Sequence, residues 1–386
     1  MEKNITAGMK MTPKQREQAL EFCRLAADWY LNNQNNERRP WGGIGNSADQ
    51  GRFLYQYTPV TGECRGNGVW GQGVGIMGLL ALAKRLDWAG EPHRTSAFAA
   101  AKYLMSLQIL DARDERLFGA LREGTPQTPW IFPRDGATGA MAFCQLYRET
   151  KEEEYLYRAR IFADWFIRVA MGKKAWPCWT YHFDKLEADR RDPALWQAGA
   201  GLMFYYLHRL TGEKRYLREG LQPIMETYKK IYDKSEEEYA TRTDDFAAIA
   251  ALGACLLKDD RKLLECVRRR VKSTLASQDA DGSCPGLAAE YIAGLTWHNF
   301  CQFVRSRKLK DRLAPCEQGI ARAAAFAPTI QERDPRDIRA YGGLYGQSTF
   351  GVSRGIIHHR TTGYALIFML RTESGTGVTA YNIFGW

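Results

Sequence analysis

Aspartates recur in this chain just ahead of stretches rich in small and apolar residues: Asp135 in PRDGATG, Asp192 in RRDPALW, and Asp244 and Asp245 in TRTDDFA. An Asp at such a boundary is a favoured helix N-cap, worth about 1 kcal/mol, and capping alone accounts for each of them. The alternative is chemical. Two carboxyl groups held across one cavity, one protonated and one ionised, are what cleavage of a glycosidic bond uses. Asp135 and Asp192 head consecutive apolar stretches and are the expected catalytic pair, with Asp244 and Asp245 in reserve.

Other side chains suit a ligand. His182 lies in WTYHFD, His298 in LTWHNF, and His358-His359 directly precede Arg360. Each histidine has a plain reading as a packed, hydrogen-bonded or surface ring and a functional one as a proton carrier or substrate contact. Arg65-Gly66-Asn67-Gly68 leads into Val69-Trp70 but lacks the Lys-Ser/Thr of a phosphate loop. Those glycines fit either close helix packing or a backbone approached by a ligand. Trp41, Trp70, Tyr341 and Tyr345 add flat rings that suit the apolar faces of sugars. Arg134, beside Asp135, and Arg360 supply cations. Cys64, Cys178, Cys284 and the histidines have no metal-ligand spacing, so neither a metal nor another cofactor is expected.

The elements that position these residues repeat. The run 192–220, DPALWQAGAGLMFYYLHRLTGEKRYLREG, reads as a buried helix, a Thr-Gly turn and a more polar helix. The same unit recurs around the turns at 85–92, 147–152 and 257–260, and more loosely from AAEYIAGLTWHNFCQFVRS into the segment after Lys308. A polar helix near the start (PKQREQALEFCRLAADWYL) and an apolar one near the end (TTGYALIFMLR) make a sixth pair. Six buried and six outer helices in alternation predict an all-α (α/α)6 toroid, one domain over 1–386. Turns from buried to outer helix are short. Connections from outer to buried helix are long and rich in Trp, Tyr, His, Arg and Asp. In a closed ring these long connections share one face with the N-termini of the buried helices, where anions are favoured.

Composition narrows the partners. Hydrophobic residues at 45% and 11 Trp supply a large core. The net charge of +10 is scattered, which fits a solvated surface or attraction of an acidic substrate better than nucleic acid. No apolar run is long enough for a membrane span, so no membrane partner is expected. The nine cysteines form no CxxC and the first residues lack a signal-peptide core, which points to the cytoplasm.

The run DPALWQAGAGLMFYYLHRLTGEKRYL resembles the Asp-led helix, Thr-Gly turn and following helix of the unsaturated glucuronyl and rhamnogalacturonyl hydrolases. CRGNGVWG is similar to that family's Trp-Ala-Arg-Gly-Asn/Gln-x-Trp segment, although it lies near the N-terminus here and in the later half there. The resemblance implies an (α/α)6 barrel that removes a uronyl or unsaturated uronyl residue from an acidic oligosaccharide. Asp192 would be its general acid/base and Asp135 the second carboxylate. A lyase drawing on His182, His298, Tyr341 or Tyr345, with Arg360 neutralising the substrate carboxylate, is the alternative. A sugar epimerase and a non-catalytic glycan-binding protein follow. Gln278-Asp279-Ala280-Asp281-Gly282 is similar to a repeat of triterpene cyclases, but their Asp-rich catalytic motif is missing.

Overall fold

A computed structural model describes residues 11–36, 49–191, 193–234, 245–348 and 351–374. The outer helices are α1 (Pro13–Asn33), α3 (Glu91–Ser106), α5 (Glu153–Trp165), α7 (Gln222–Lys234), α9 (Arg261–Ala276) and α11 (Ala314–Phe326). They alternate with inner helices α2 (Val69–Leu86), α4 (Pro133–Thr150), α6 (Gly201–Thr211), α8 (Asp245–Leu257), α10 (Ala289–Ser306) and α12 (His359–Ser374). Composition sorts the two sets. In α2 every residue from Gly71 to Ala83 is buried, whereas α9 buries one stripe, Arg270 included, and leaves Arg261, Lys262 and Lys272 exposed.

Each inner helix packs on the next, and α12 packs back on α2. The ring is therefore closed, as the alternation predicts. The two ends of the chain meet: α1 lies along α12, with the Tyr30 hydroxyl 2.9 Å from His359 Nδ1. Among the described residues no helix is long and apolar enough to cross a membrane.

A repeated clasp ties the outer helices together. After α1, α3, α9 and α11 the chain places Gln34, Gln108, Gln278 and Gln331. Each Nε2 donates to two carbonyls, one of a glycine in its own loop and one in the next outer helix. Gln34 bridges Gly51 and Ser96 (both 2.9 Å); Gln108 bridges Gly119 and Arg158 (both 3.0 Å). Gln278 bridges Gly282 and Gly319 (3.1 and 3.0 Å), and Gln331 bridges Gly342 and Phe22 (both 3.1 Å). All four glycines have φ between 82° and 99°, and a Cβ on any of them would strike a carbonyl of the neighbouring outer helix. The last clasp joins α11 to α1 and so closes the outer ring. The Gln278–Gly282 motif is thus a structural joint of the toroid.

Among the described residues seven short strands, which the sequence reading does not anticipate, occupy the long connections. One sheet runs β2 (Glu63–Gly66), β1 (Leu54–Thr58), β7 (Gly351–His358), β6 (Tyr345–Ser348) and joins the connections before α2 and α12. The register pairs Gln56 with His358 and Tyr57 with Ile357. The other, β3 (Trp130–Ile131), β4 (Thr180–His182), β5 (Glu187–Asp189), joins the connections before α4 and α6. The two sheets stand on the face that carries the inner-helix N-termini.

The clasp makes a stability prediction. Gln331→Ala leaves two buried carbonyls unsatisfied and a small cavity, and should destabilise by about 2–4 kcal/mol in urea unfolding. Gly342→Ala should cost about 1–3 kcal/mol from backbone conformation alone. A Gln331→Ala unfolding midpoint unchanged from the parent would show that the clasp holds nothing.

Candidate functional site

The N-terminal ends of the inner helices surround a cavity of about 780 Å³. A simple positional rule builds much of its wall. The second residue of each helical segment that begins an inner wall is Trp70 (α2), Arg134 (α4), Trp196 (the 3-10 segment Leu195–Ala200 that leads into α6), Phe246 (α8), Glu290 (α10) and Arg360 (α12). All except Glu290 line the cavity. Tyr364, one turn deeper on α12, Tyr55 of β1, and Trp130 and Phe132 before α4 complete an aromatic lining.

Among the described residues two carboxyl groups face this space, Asp135 and Glu123. Asp135 is the third residue of α4, and its own N–H donates to the Phe132 carbonyl at 2.8 Å. The N-cap is Phe132, which offers no side-chain acceptor, so Asp135 does not cap the helix. Its carboxylate is left for other work. Glu123 comes from the connection before α4 and is clamped by backbone. Its carbonyl accepts the first N–H of α2, from Val69 (2.6 Å), and its Oε2 accepts the Phe132 N–H (3.1 Å). Gly68 has to be glycine for this approach, because a Cβ there would lie 2.7 Å from the Glu123 carbonyl oxygen.

The two carboxyls are electrostatically linked. Burial pushes Glu123 well above the usual carboxylate range, and the neighbouring Asp135 charge pushes it further. Burial also raises Asp135, but Arg134 and Arg360 pull it back. Burial thus favours the protonated form of Glu123 more strongly than that of Asp135. Arg134 Nη1 lies 3.3 Å from Asp135 Oδ1, and its guanidinium stacks over Phe246 at 5.0 Å. Arg360 stacks over Trp70 at 5.9 Å. Trp70 is fixed in turn by its Nε1–H, which donates to the Tyr364 hydroxyl at 2.9 Å. Burial drives that phenol up to about 12.

The remaining expected site residues are distributed differently. Arg65 on β2 is exposed and paired with Glu63 at 2.9 Å; its neighbour Gly66 lines the cavity instead. His182 is a strand residue opposite Trp130 and Glu187, outside the wall. His298 is buried between inner helices, 3.0 Å from Thr372 Oγ1 and tilted against Phe368. Burial pushes its ring well below its usual range, so it stays neutral. Tyr341 sits in the turn that precedes the closing clasp, and the Tyr345 hydroxyl donates to Glu332 Oε2 at 2.5 Å. His359 lies behind Trp70, edge-on to it at 5.5 Å and bonded to Tyr30. None of these six residues is among the described residues that line the cavity. Asp245 is likewise taken by Arg270, at 3.0 Å in a buried pair. Trp41, Asp192 and Asp244 lie outside the described residues. No group of three or more His, Cys, Asp or Glu among the described residues is arranged to hold a metal.

Glu123 is the residue that sequence reading missed. It is the one acidic residue between Leu117 and Arg134, in a connection already marked by its length.

Compared by sequence, the chain matches no family model and no curated protein. Compared by structure, it is similar to cellobiose 2-epimerase from Bacillus thermoamylovorans, with a TM-score of 0.65 and 14% identity over 93% of this chain and 98% of that one. It is also similar to a family 76 glycoside hydrolase (mannosidase) from Bacteroides thetaiotaomicron, with a TM-score of 0.64 and 14% identity over 92% and 98% of the two chains. A third is the family 76 α-1,6-mannanase from Salegentibacter sp., solved with α-1,6-mannotetrose, with a TM-score of 0.58 and 12% identity over 92% and 99%. At these identities the likeness is one of fold, the (α/α)6 toroid.

His358 yields a prediction on pH. Its Nδ1 accepts the Arg360 N–H at 3.0 Å and so caps α12, which requires a neutral ring. Burial, with Arg360 nearby, lowers His358 to about 4. The unfolded chain takes up this proton near 6.5, so the contribution is complete above 6.5 and is lost as pH falls from there towards 4. His358→Asn keeps an acceptor and removes the titration. The parent should lose about 3 kcal/mol relative to this variant between pH 7 and 4, measured by urea unfolding. A gap independent of pH would refute the capping role.

Proposed function

We propose that this protein is a carbohydrate-active enzyme that cleaves a glycosidic bond in an acidic oligosaccharide, with Glu123 as general acid and Asp135 as the ionised partner. The observation that carries this reading is the asymmetric carboxyl pair on the wall of an aromatic-lined cavity. Glycosidic cleavage needs a proton for the leaving oxygen and an anion facing the sugar, either to activate water or to attack the anomeric carbon. The environments of Glu123 and Asp135 separate those two roles. Trp70, Trp130 and Trp196 offer faces on which a sugar ring can stack. The three fold relatives are enzymes named for sugars, which supports a carbohydrate substrate. The excess of cations over carboxylates in the lining favours an acidic one, and a uronyl or unsaturated uronyl residue is the specific candidate. In this reading Asp135 is one of the catalytic carboxylates and Glu123 its partner; Asp192, first expected in that role, lies outside the described residues.

Lyase or epimerase chemistry based on histidine has less support. No histidine is among the described residues that line the cavity, and His298 and His359 are buried in packing.

The test uses unsaturated uronyl disaccharides released by a polysaccharide lyase. The parent should abolish their ultraviolet alkene absorbance. Glu123→Gln and Asp135→Asn should each lose on the order of 10²–10⁴-fold in rate. Because Asp135 is not a cap, Asp135→Ala should fold as well as Asp135→Asn. On an aryl glycoside whose leaving group needs no protonation, Glu123→Gln should recover most of its rate while Asp135→Asn should not. Near-parental turnover by both variants on the disaccharide would sink the carboxyl-pair reading.

A further inference from the structure

The cavity wall carries Arg52, Arg134 and Arg360 against Glu123 and Asp135. Two of these cations have carboxylate neighbours: Arg52 lies 3.3 Å from Asp49, and Arg134 lies 3.3 Å from Asp135. Arg360 is different. None of the ion pairs among the described residues involves it, and its Nε is buried without a hydrogen-bond partner. Three features of its position make this costly. It is the second residue of α12, where the positive end of the helix opposes a cation. Arg134, on an inner helix two places round the ring, adds repulsion. The rings around it, Trp70, Tyr55 and Tyr364, carry no formal charge, and the Asp135 carboxylate acts on it across the cavity without forming one of the described ion pairs. A desolvated cation with no direct carboxylate partner among the described residues is unfavourable, and the cavity is the side from which an anionic partner can come.

We propose that Arg360 is the receptor for the acidic group of the substrate, a carboxylate or sulfate ester on the sugar that stacks against Trp70. This rests on the reading of the cavity as an oligosaccharide site. Trp70 holds the guanidinium plane from one face, which leaves the edge of the fork to meet two anionic oxygens at once. Trp70 is itself locked by Tyr364, so the receptor is set before the ligand arrives. Arg360 then fixes which way round the sugar lies, with its glycosidic oxygen towards Glu123 and Asp135.

The test is equilibrium binding in a Glu123→Gln background, where turnover does not interfere. Three probes are compared: an unsaturated uronyl disaccharide, the same disaccharide with its carboxyl reduced to a neutral hydroxymethyl group, and a sulfated neutral disaccharide. An anionic probe should bind about 10²- to 10³-fold more tightly than the neutral one. Adding Arg360→Gln should erase that difference and leave neutral binding intact. Adding Arg360→Lys should keep part of it, and covers the case in which the Gln variant fails to fold. Preference for the uronyl probe or for the sulfated probe identifies the anion, and either supports the receptor. The proposal is overturned if Arg360→Gln keeps the preference, if Arg360→Lys binds as the parent does when the Gln variant does not fold, or if neither anion is preferred. Because binding is read without turnover, it separates from the glycosidase reading: a parent that cleaves nothing but keeps an Arg360-dependent preference retains the receptor.

Discussion

The structure depends on a side-chain amide that satisfies two carbonyls at once, one in its own loop and one in the next outer helix. An outer helix alone would leave carbonyls at its margin facing a neighbour that has no reason to stay in register. The clasp glutamine fixes that register, and the left-handed glycine beside it removes the Cβ that would hold the two segments apart. With four of the outer-helix joints clasped, from α9 through α11 and α1 to α3 and α5, the inner helices packed against them are held in register. Their N-termini then share one face, and the long connections have one place to go.

That closure converts a linear repeat into a circular array of equivalent positions. The second residue of each inner-wall segment arrives at the same height around one mouth, so chemistry is chosen by substitution at six places instead of by building a new loop. Two places hold arginines and three hold aromatic rings. The sixth, Glu290, has withdrawn into the protein, where burial lifts it to about 8 and leaves it protonated at neutral pH. The array is therefore lopsided: its polar side lies between α12 and α4, beside the carboxyl pair.

Much of this was legible in the sequence. The Thr-Gly turn at 211–212, the turn at 257–260 and the matching polar and apolar helices near the two ends of the chain carry the alternation from which the toroid follows. The functional face follows from loop lengths, and Asp135, Trp70, Arg134 and Arg360 lie on it. A buried imidazole and a catalytic one have the same neighbours in sequence, as Trp297 and Phe300 beside the packed His298 show. Glu123 was not visible because its importance comes from the Val69 and Phe132 amides, which belong to two helices far from it in the fold's logic. The strands were missed because runs of two to eight residues with partners in another connection carry no local period. Gln278 and Gly282 stood out as a motif, but their meaning needed the three sister clasps.

The closing clasp also sets a schedule for folding. Gln331 reaches back to the Phe22 carbonyl across 309 residues. At a synthesis rate of about 5–20 residues per second, α1 leaves the ribosome roughly 15–60 s before its last partner exists. Through that interval its apolar stripe, from Phe22 to Tyr30, has no α12 to cover it. The ring thus matures in one late step, and a nascent chain stalled short of residue 331 keeps an open seam that another copy can enter. A fold whose finished form has no edge passes through a stage that has two.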